Sequence, residues 1–265
     1  MKRIDSRQNP IVRAYRALAR EPDAAGVRLL LDGAHLIREA HERPLRFESV
    51  AIAASRLEVA GEEASLAHTL QQAGVDVVCA PDHVFAAMSP VRTPSGICAI
   101  VHRHPTTVEA ILERARLFAL VVVGVQDPGN MGSLLRVAEA GGVTGVIAAG
   151  DSANPFSWKS VRGSMGSALR VPIARIVSVA VVMERLRQTN AKTIAAVPRG
   201  GSEPDAVDWS GRIALLLGGE GPGLSDELAA SADARVTIPM EPPVESLNVA
   251  ASAAIIIYAA RRARR

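Results

Sequence analysis

Three short stretches of this chain hold residue types that could grip a small molecule and act on it. They are Asp127-Pro128-Gly129-Asn130-Met131-Gly132-Ser133 with Arg136 close behind, Gly218-Gly219-Glu220-Gly221-Pro222-Gly223-Leu224-Ser225, and Glu245-Ser246-Leu247-Asn248. Where a glycine has no Cβ, a ligand can come within reach of main-chain amides and carbonyls. Asn130, Ser246 and Asn248 add neutral groups that both donate and accept. A guanidinium stays protonated near neutrality, so Arg136 is a poor general base and could act only by its charge. The plainer reading of Arg136 is a surface cation paired with Glu139 or Glu113. For Glu220 it is capping or pairing within its own turn.

Each stretch must be positioned by the element before it. The apolar run Leu117 to Val125 reads as a buried strand, followed by a helix reaching about Ala140 whose first amides could hold a ligand, with Asn130 as a candidate cap. Ile213 to Leu217 and the shorter Val236 to Met240 read as strands leading into the other two stretches. Ser225, followed by Asp226 and Glu227, is a helix N-cap with acids in the first turn. Ser246 or Asn248 should cap the long apolar helix that begins at Val249. Two phosphate sites can be set aside. Asp127, Gly129 and Gly132 occupy the places of a dinucleotide fingerprint, a strand follows at Val143 to Ala148, and Asp151 lies near the ribose position. However, an aspartate followed by proline cannot replace the first glycine of the tight turn. A Walker loop fails because no Lys-Ser or Lys-Thr follows the glycines.

The ordered trio resembles the three signature motifs of the SpoU-type (TrmH-like) RNA ribose 2′-O-methyltransferases of the SPOUT superfamily. The stretch from Asn154-Pro155-Phe156 through Ser164-Met165-Gly166-Ser167 to Arg170-Val171-Pro172 is similar to that family as well, and the likeness runs from about residue 117 to 260. The resemblance implies an α/β catalytic domain over residues 117–265, with a mostly parallel sheet and a deep trefoil knot. It also implies a homodimer, with the helix from Val249 in the interface, and S-adenosyl-L-methionine as cofactor. The family places Gly218, Ile238 and Leu247 against that donor, with Gly219, Glu220 and Gly223 shaping the same loop. It makes Arg136 the essential arginine, supported by Asn130, Ser246 and Asn248.

Upstream, Arg28 to Leu31, Ser49 to Ala53, Val75 to Ala80 and Ile97 to Val101 read as strands, alternating with helices at Ala34 to Glu42 and Glu62 to Ala73. This is a small α/β domain over residues 1–103. Asp32-Gly33 with Leu36-Ile37-Arg38-Glu39-Ala40 resembles the family's substrate-binding domain. His102-Arg103-His104-Pro105 marks the boundary, and residues 104–116 form a linker helix.

Charge is uneven. Residues 1–20 carry six basic groups against Asp5, the last five residues carry four arginines, and the whole chain nets only +3, so the stretch between is acidic. Arg3, Arg7, Arg13 and Arg16 therefore read as RNA-contacting residues of a basic arm. The C-terminal arginines fit either RNA or the end of a helix dipole. With eight aromatic residues in all, base stacking cannot be extensive. Two cysteines, Cys79 and Cys98, form neither a disulfide framework nor a zinc site and read as small buried residues; His102 and His104 read as a solvated linker pair, without a metal. No apolar run reaches the roughly 18 residues of a membrane span, and no signal core opens the chain, so the cytoplasm is the expected location. The expected substrate is ribosomal RNA, 23S first, ahead of transfer RNA. An RNA-binding protein without catalysis and a NAD-dependent oxidoreductase are the alternatives from other classes.

Overall fold

The computed structural model describes residues 1–43, 45–221 and 223–264; Pro44, Pro222 of the second glycine-rich stretch, and Arg265 of the basic tail lie outside the described residues. The chain divides into two compact units, one of residues 1–105 with 156–169, the other of residues 106–155 with 170–265.

The first unit begins with β1 (Lys2–Arg3), α1 (Pro10–Arg20), β2 (Arg28–Asp32), α2 (Ala34–His41) and β3 (Arg46–Ala53). It continues with α3 (Ala54–Leu57), α4 (Glu62–Gln72), β4 (Val77–Ala80), α5 (Asp82–Phe85) and β5 (Ile97–His102). The strand order is β1-β4-β3-β5-β2, with β5 antiparallel to both of its neighbours and the other pairs parallel. The segment read above as a basic arm contains a helix. Asn9 accepts a hydrogen bond from the Ile11 amide at 2.9 Å, and Pro10 occupies the first turn, where a missing N–H is harmless. Val12, Tyr15 and Leu18 bury the inner face of α1, each burial contributing roughly 1.5–3 kcal/mol. The Tyr15 hydroxyl donates to the Ser49 carbonyl at 2.9 Å, so the largest polar tip in this core is satisfied. His102 is not linker: it ends β5 and sits 2.7 Å from Glu48, which also takes a two-pronged bond from Arg28. Cys98 is buried and Cys79 half-buried.

The second unit starts with α6 (Val108–Leu112), β6 (Phe118–Val123), α7 (Pro128–Gly141) and β7 (Gly145–Ala149). After α8 (Trp158–Gly163), which groups with the first unit, it resumes with β8 (Ile173–Ile176), α9 (Val179–Gln188), β9 (Lys192–Ala196) and β10 (Ile213–Gly218). It ends with α10 (Asp226–Ala230), β11 (Ala234–Val236) and α11 (Val249–Ala263). The sheet runs β11-β9-β10-β6-β7-β8 and every pair in it is parallel. Near-continuous apolar strands follow from burial on both faces. Ala119, Val121, Ile147, Ala149, Ala214 and Leu216 pack with Ile111, Val182, Leu186 and Ala229 of the helices. Leu120, Val122, Leu215 and Leu217, one residue out of phase, are buried on the other face. The expected strand over Val236 to Met240 is corrected to Ala234–Val236. Beyond it the Thr237 hydroxyl accepts from the Gly201 amide at 2.9 Å and donates to the Val197 carbonyl at 3.1 Å, and Pro239 has no N–H to offer a ladder.

Candidate active site

The register of the parallel sheet decides where the three stretches meet. Gly218 at the end of β10 lies level with Val123 at the end of β6, and Val236 of β11 lies level with Ala196 of β9. The loops after all four strands therefore leave from the same edge of the sheet, where α/β proteins hold ligands. The Gly219 amide donates to the Val123 carbonyl at 2.8 Å, and a Cβ on Gly219 would stand 1.9 Å from the Gly124 carbonyl oxygen. At Gly218 an added Cβ would stand 2.2 Å from the backbone of Gly223 and Leu224. No side chain fits at either place, which explains the glycine pair.

A cavity of about 390 Å³ opens at this edge. Its walls include Gly218, Gly219, Glu220, Gly221 and Gly223 from the loop after β10, Ile238 and Met240 after β11, and Ser246, Leu247 and Asn248 ahead of α11. Ala196, Val197 and Pro198 after β9 complete one side. The expected donor residues thus all border one space, with Ser246 and Asn248. The β9 segment carried no recognisable pattern in the sequence beyond its small residues, and only the register of β9 against β10 and β11 brings it here.

Asn130 reaches this site through hydrogen bonds. Its side-chain amide donates to a Glu220 carboxylate oxygen, and its own oxygen accepts from the Asn248 amide at 3.0 Å. The other Glu220 oxygen accepts from the Gln126 amide at 3.4 Å. Asn248 in turn caps α11, accepting from the Ala250 and Ala251 amides at 2.9 and 3.4 Å. One residue from each stretch is therefore tied into a single chain of bonds. Glu220 pairs across to the first stretch and not within its own turn. Ser225 caps α10, accepting from the Leu228 amide at 3.2 Å.

The start of α7 differs from expectation. Asp127, not Asn130, is the cap, with its side chain accepting from the Asn130 amide at 2.7 Å, and Pro128 supplies no N–H. With one free donor capped and another missing, this helix end offers little to a ligand, and none of residues 127–133 lines the cavity. Arg136 is exposed and outside the cavity wall, without a side-chain hydrogen bond or ion pair among the described residues. Glu139, its expected partner, instead holds Arg170.

The basic ends behave differently from each other. Arg3 pairs with Asp5 at 2.8 Å, and Arg7 donates to the His83 carbonyl at 3.1 and 2.8 Å. Arg13 and Arg16 have no side-chain partner among the described residues; with Arg20 they share one face of α1. At the other end Arg264 donates to the carbonyls of Trp209, Gly211 and Leu117 at 2.7, 2.9 and 3.3 Å, and Arg261 to that of Ala140 at 2.7 Å. Burial lowers the Arg264 pKa. Among the described residues no group of His, Cys, Asp and Glu could hold a metal ion, and no helix is long and apolar enough to cross a membrane.

Comparison with known proteins follows the same lines. The model of the SpoU rRNA methylase family matches residues 117–258. The 23S rRNA (guanosine(2553)-2′-O)-methyltransferase RlmP of Bacillus subtilis is 28% identical, over 97% of this chain and 98% of that protein. An uncharacterized tRNA/rRNA methyltransferase of Synechocystis sp. is 32% identical, over 98% of this chain and 93% of its own length. The AdoMet-bound rRNA methyltransferase from Sinorhizobium meliloti superposes with a TM-score of 0.81 at 26% identity, covering 98% of this chain and 97% of that one.

Proposed function

We propose, from the SpoU rRNA methylase family to which this chain belongs and from the site just described, that the protein is an S-adenosylmethionine-dependent methyltransferase acting on ribose 2′-hydroxyls of 23S ribosomal RNA. The observation that carries the reading is the meeting of three glycine- and asparagine-bearing turns: two line one cavity of about 390 Å³, within the size range of small-molecule sites, and the third is bonded to both through Asn130. The cavity walls are mostly apolar side chains and bare backbone, the chemistry that suits an adenosyl group and an amino-acid tail. When bound, S-adenosylmethionine would supply an electrophilic methyl carbon: the ribose 2′-oxygen bonds to it as the carbon–sulfur bond breaks, leaving neutral S-adenosylhomocysteine, and the hydroxyl proton passes to solvent.

The chain's own residues hold and orient. The backbone at Gly218, Gly219, Ile238 and Leu247, which lines the cavity, would hold the donor, and Glu220 fixes the loop by its bonds to Asn130 and the Gln126 amide. Ser246 and Asn248 border the acceptor side. Arg136 stands six residues beyond Asn130 on α7, about 9 Å along the axis and about 120° around it. Its guanidinium is exposed and has no side-chain partner among the described residues. In this reading it binds the phosphate beside the target ribose and stabilises negative charge on the attacking oxygen.

The remaining parts of the reading have their own supports. The crowding of two loops at Gly218 and Gly219 is consistent with the deep trefoil knot of the superfamily. Ile255 and Tyr258 expose an apolar stripe on α11 that suits a homodimer. The first unit serves as the RNA-binding domain, with Arg13 and Arg16 on its surface as phosphate contacts, and the enzyme works in the cytoplasm. The test is transfer of labelled methyl from S-adenosylmethionine to unmodified 23S rRNA, with tRNA assayed in parallel. We expect Arg136→Ala to lose at least about a hundredfold in turnover while S-adenosylhomocysteine binding stays unchanged, as for loss of one charge stabiliser. Unchanged turnover removes Arg136 from the mechanism, and methylation of tRNA alone redirects the substrate.

A further inference from the structure

A second cavity, of about 600 Å³, adjoins the first, and the two share Pro198, Ile238 and Met240 as a common wall. Its remaining surface is unusual in composition: Pro239, Pro242 and Pro243 with Val244 give flat, rigid apolar faces, while Arg199 and Glu245 supply the only charges. Thr237, also on the wall, already has its hydroxyl engaged by Gly201 and Val197. Arg199 is exposed and has no hydrogen bond or ion pair among the described residues. A guanidinium left unpaired at the mouth of a cavity is a ready partner for phosphate. Proline faces and the plane of a guanidinium also suit an unstacked base, which matters where no aromatic side chain lines the site.

We propose that this second cavity seats a nucleotide of the acceptor RNA strand, with its phosphate on the Arg199 guanidinium. The inference rests on the methyltransferase reading above and deepens it by giving the acceptor its own place beside the donor. The shared wall sets the two cavities side by side, so a strand anchored here lies next to the donor's place. Glu245 repels phosphate, which fixes the strand's orientation: the anion lies toward Arg199, and the carboxylate accepts from a base N–H or a ribose hydroxyl.

The experiment measures three quantities on the full chain: binding of unmodified 23S rRNA at several salt concentrations, binding of S-adenosylhomocysteine, and steady-state methylation. For Arg199→Ala we expect rRNA affinity to fall about tenfold with a salt slope shallower by about one, and KM for rRNA to rise while kcat stays within about twofold. Binding of S-adenosylhomocysteine should not change, and Arg199→Lys should recover part of the loss because it keeps the charge. Unchanged rRNA affinity in Arg199→Ala overturns the proposal. Weakened S-adenosylhomocysteine binding overturns it too, because the cavity would then belong to the donor. A wild-type protein that binds neither rRNA nor S-adenosylhomocysteine would instead sink the methyltransferase reading itself.

Discussion

The arginines of α1 and those that close α11 look alike in sequence and are used differently. Two of the C-terminal arginines turn to the backbone: Arg264 donates to three carbonyls and packs its guanidinium 5.3 Å from the centre of the Phe118 ring, and Arg261 donates to the Ala140 carbonyl. On α1, exposed Arg13 and half-buried Arg16 have no side-chain hydrogen bond or ion pair among the described residues. What separates them is the availability of orphan acceptors. The loop around Trp209 and Gly211 leaves carbonyls that only a long, forked donor can reach, whereas the outer face of a regular helix has none to offer. A count of positive charges therefore says little about RNA binding until each cation's partners are known.

That contrast can be broken at three points. The largest effect is expected from Arg264→Ala, which strands the part-buried carbonyls of Trp209 and Leu117 and should cost about 1–3 kcal/mol of unfolding free energy in urea titrations, with rRNA affinity at permissive temperature unaltered. If stability holds and RNA binding drops, the inward reading of the tail is wrong. Next comes the double substitution Arg13→Ala with Arg16→Ala. Here rRNA binding near 0.1 M salt should weaken about tenfold, the logarithmic salt slope should flatten by nearly two, and stability should stay within about 0.5 kcal/mol. A thermal melt that shifts by many degrees would show these side chains to be structural after all. The smallest effect belongs to Arg262, whose 2.6 Å pair with Asp205 is exposed on both sides; Arg262→Ala should move stability by less than about 0.5 kcal/mol and leave RNA binding alone.

The same distinction explains what could be read before the fold was known. The three turns were legible because their glycines and asparagines answer to local rules: a strand ends, the backbone must come close, a helix must be capped. Gly218 and Gly219 sit where any Cβ would collide, so their identity announced their setting. Partnerships across the fold were not legible. Nothing near Arg136 in sequence reveals that Glu139 belongs to Arg170, and nothing near Glu220 reveals that it holds a residue ninety positions earlier. Asn130 had the chemistry of a cap, but Asp127 stood three residues ahead with the same chemistry and the better position. The helix α1 is a different case: its arginines suggest an arm, but Asn9-Pro10 and the spacing of Val12, Tyr15 and Leu18 form an entry signal and an apolar face that together specify a helix. Residues 156–169 group with the first unit although they lie between two strands of the second, a choice made by packing and invisible in the order of the chain.

The bonds from Glu220 through Asn130 to Asn248 run in one direction only. A carboxamide has a giving end and a receiving end, so each asparagine can fill its place in a single orientation, and the polarity of the whole file is set by the acid at its head. Replacing the Asn130 amide with an acid would keep its outline and remove its giving end. Two carboxylates would then confront each other, and one of them would have to take up a proton or let go. Loss of that single N–H donor would thus unfasten the loop after β10 from the turn that opens α7, while the bond from Asn248 remains.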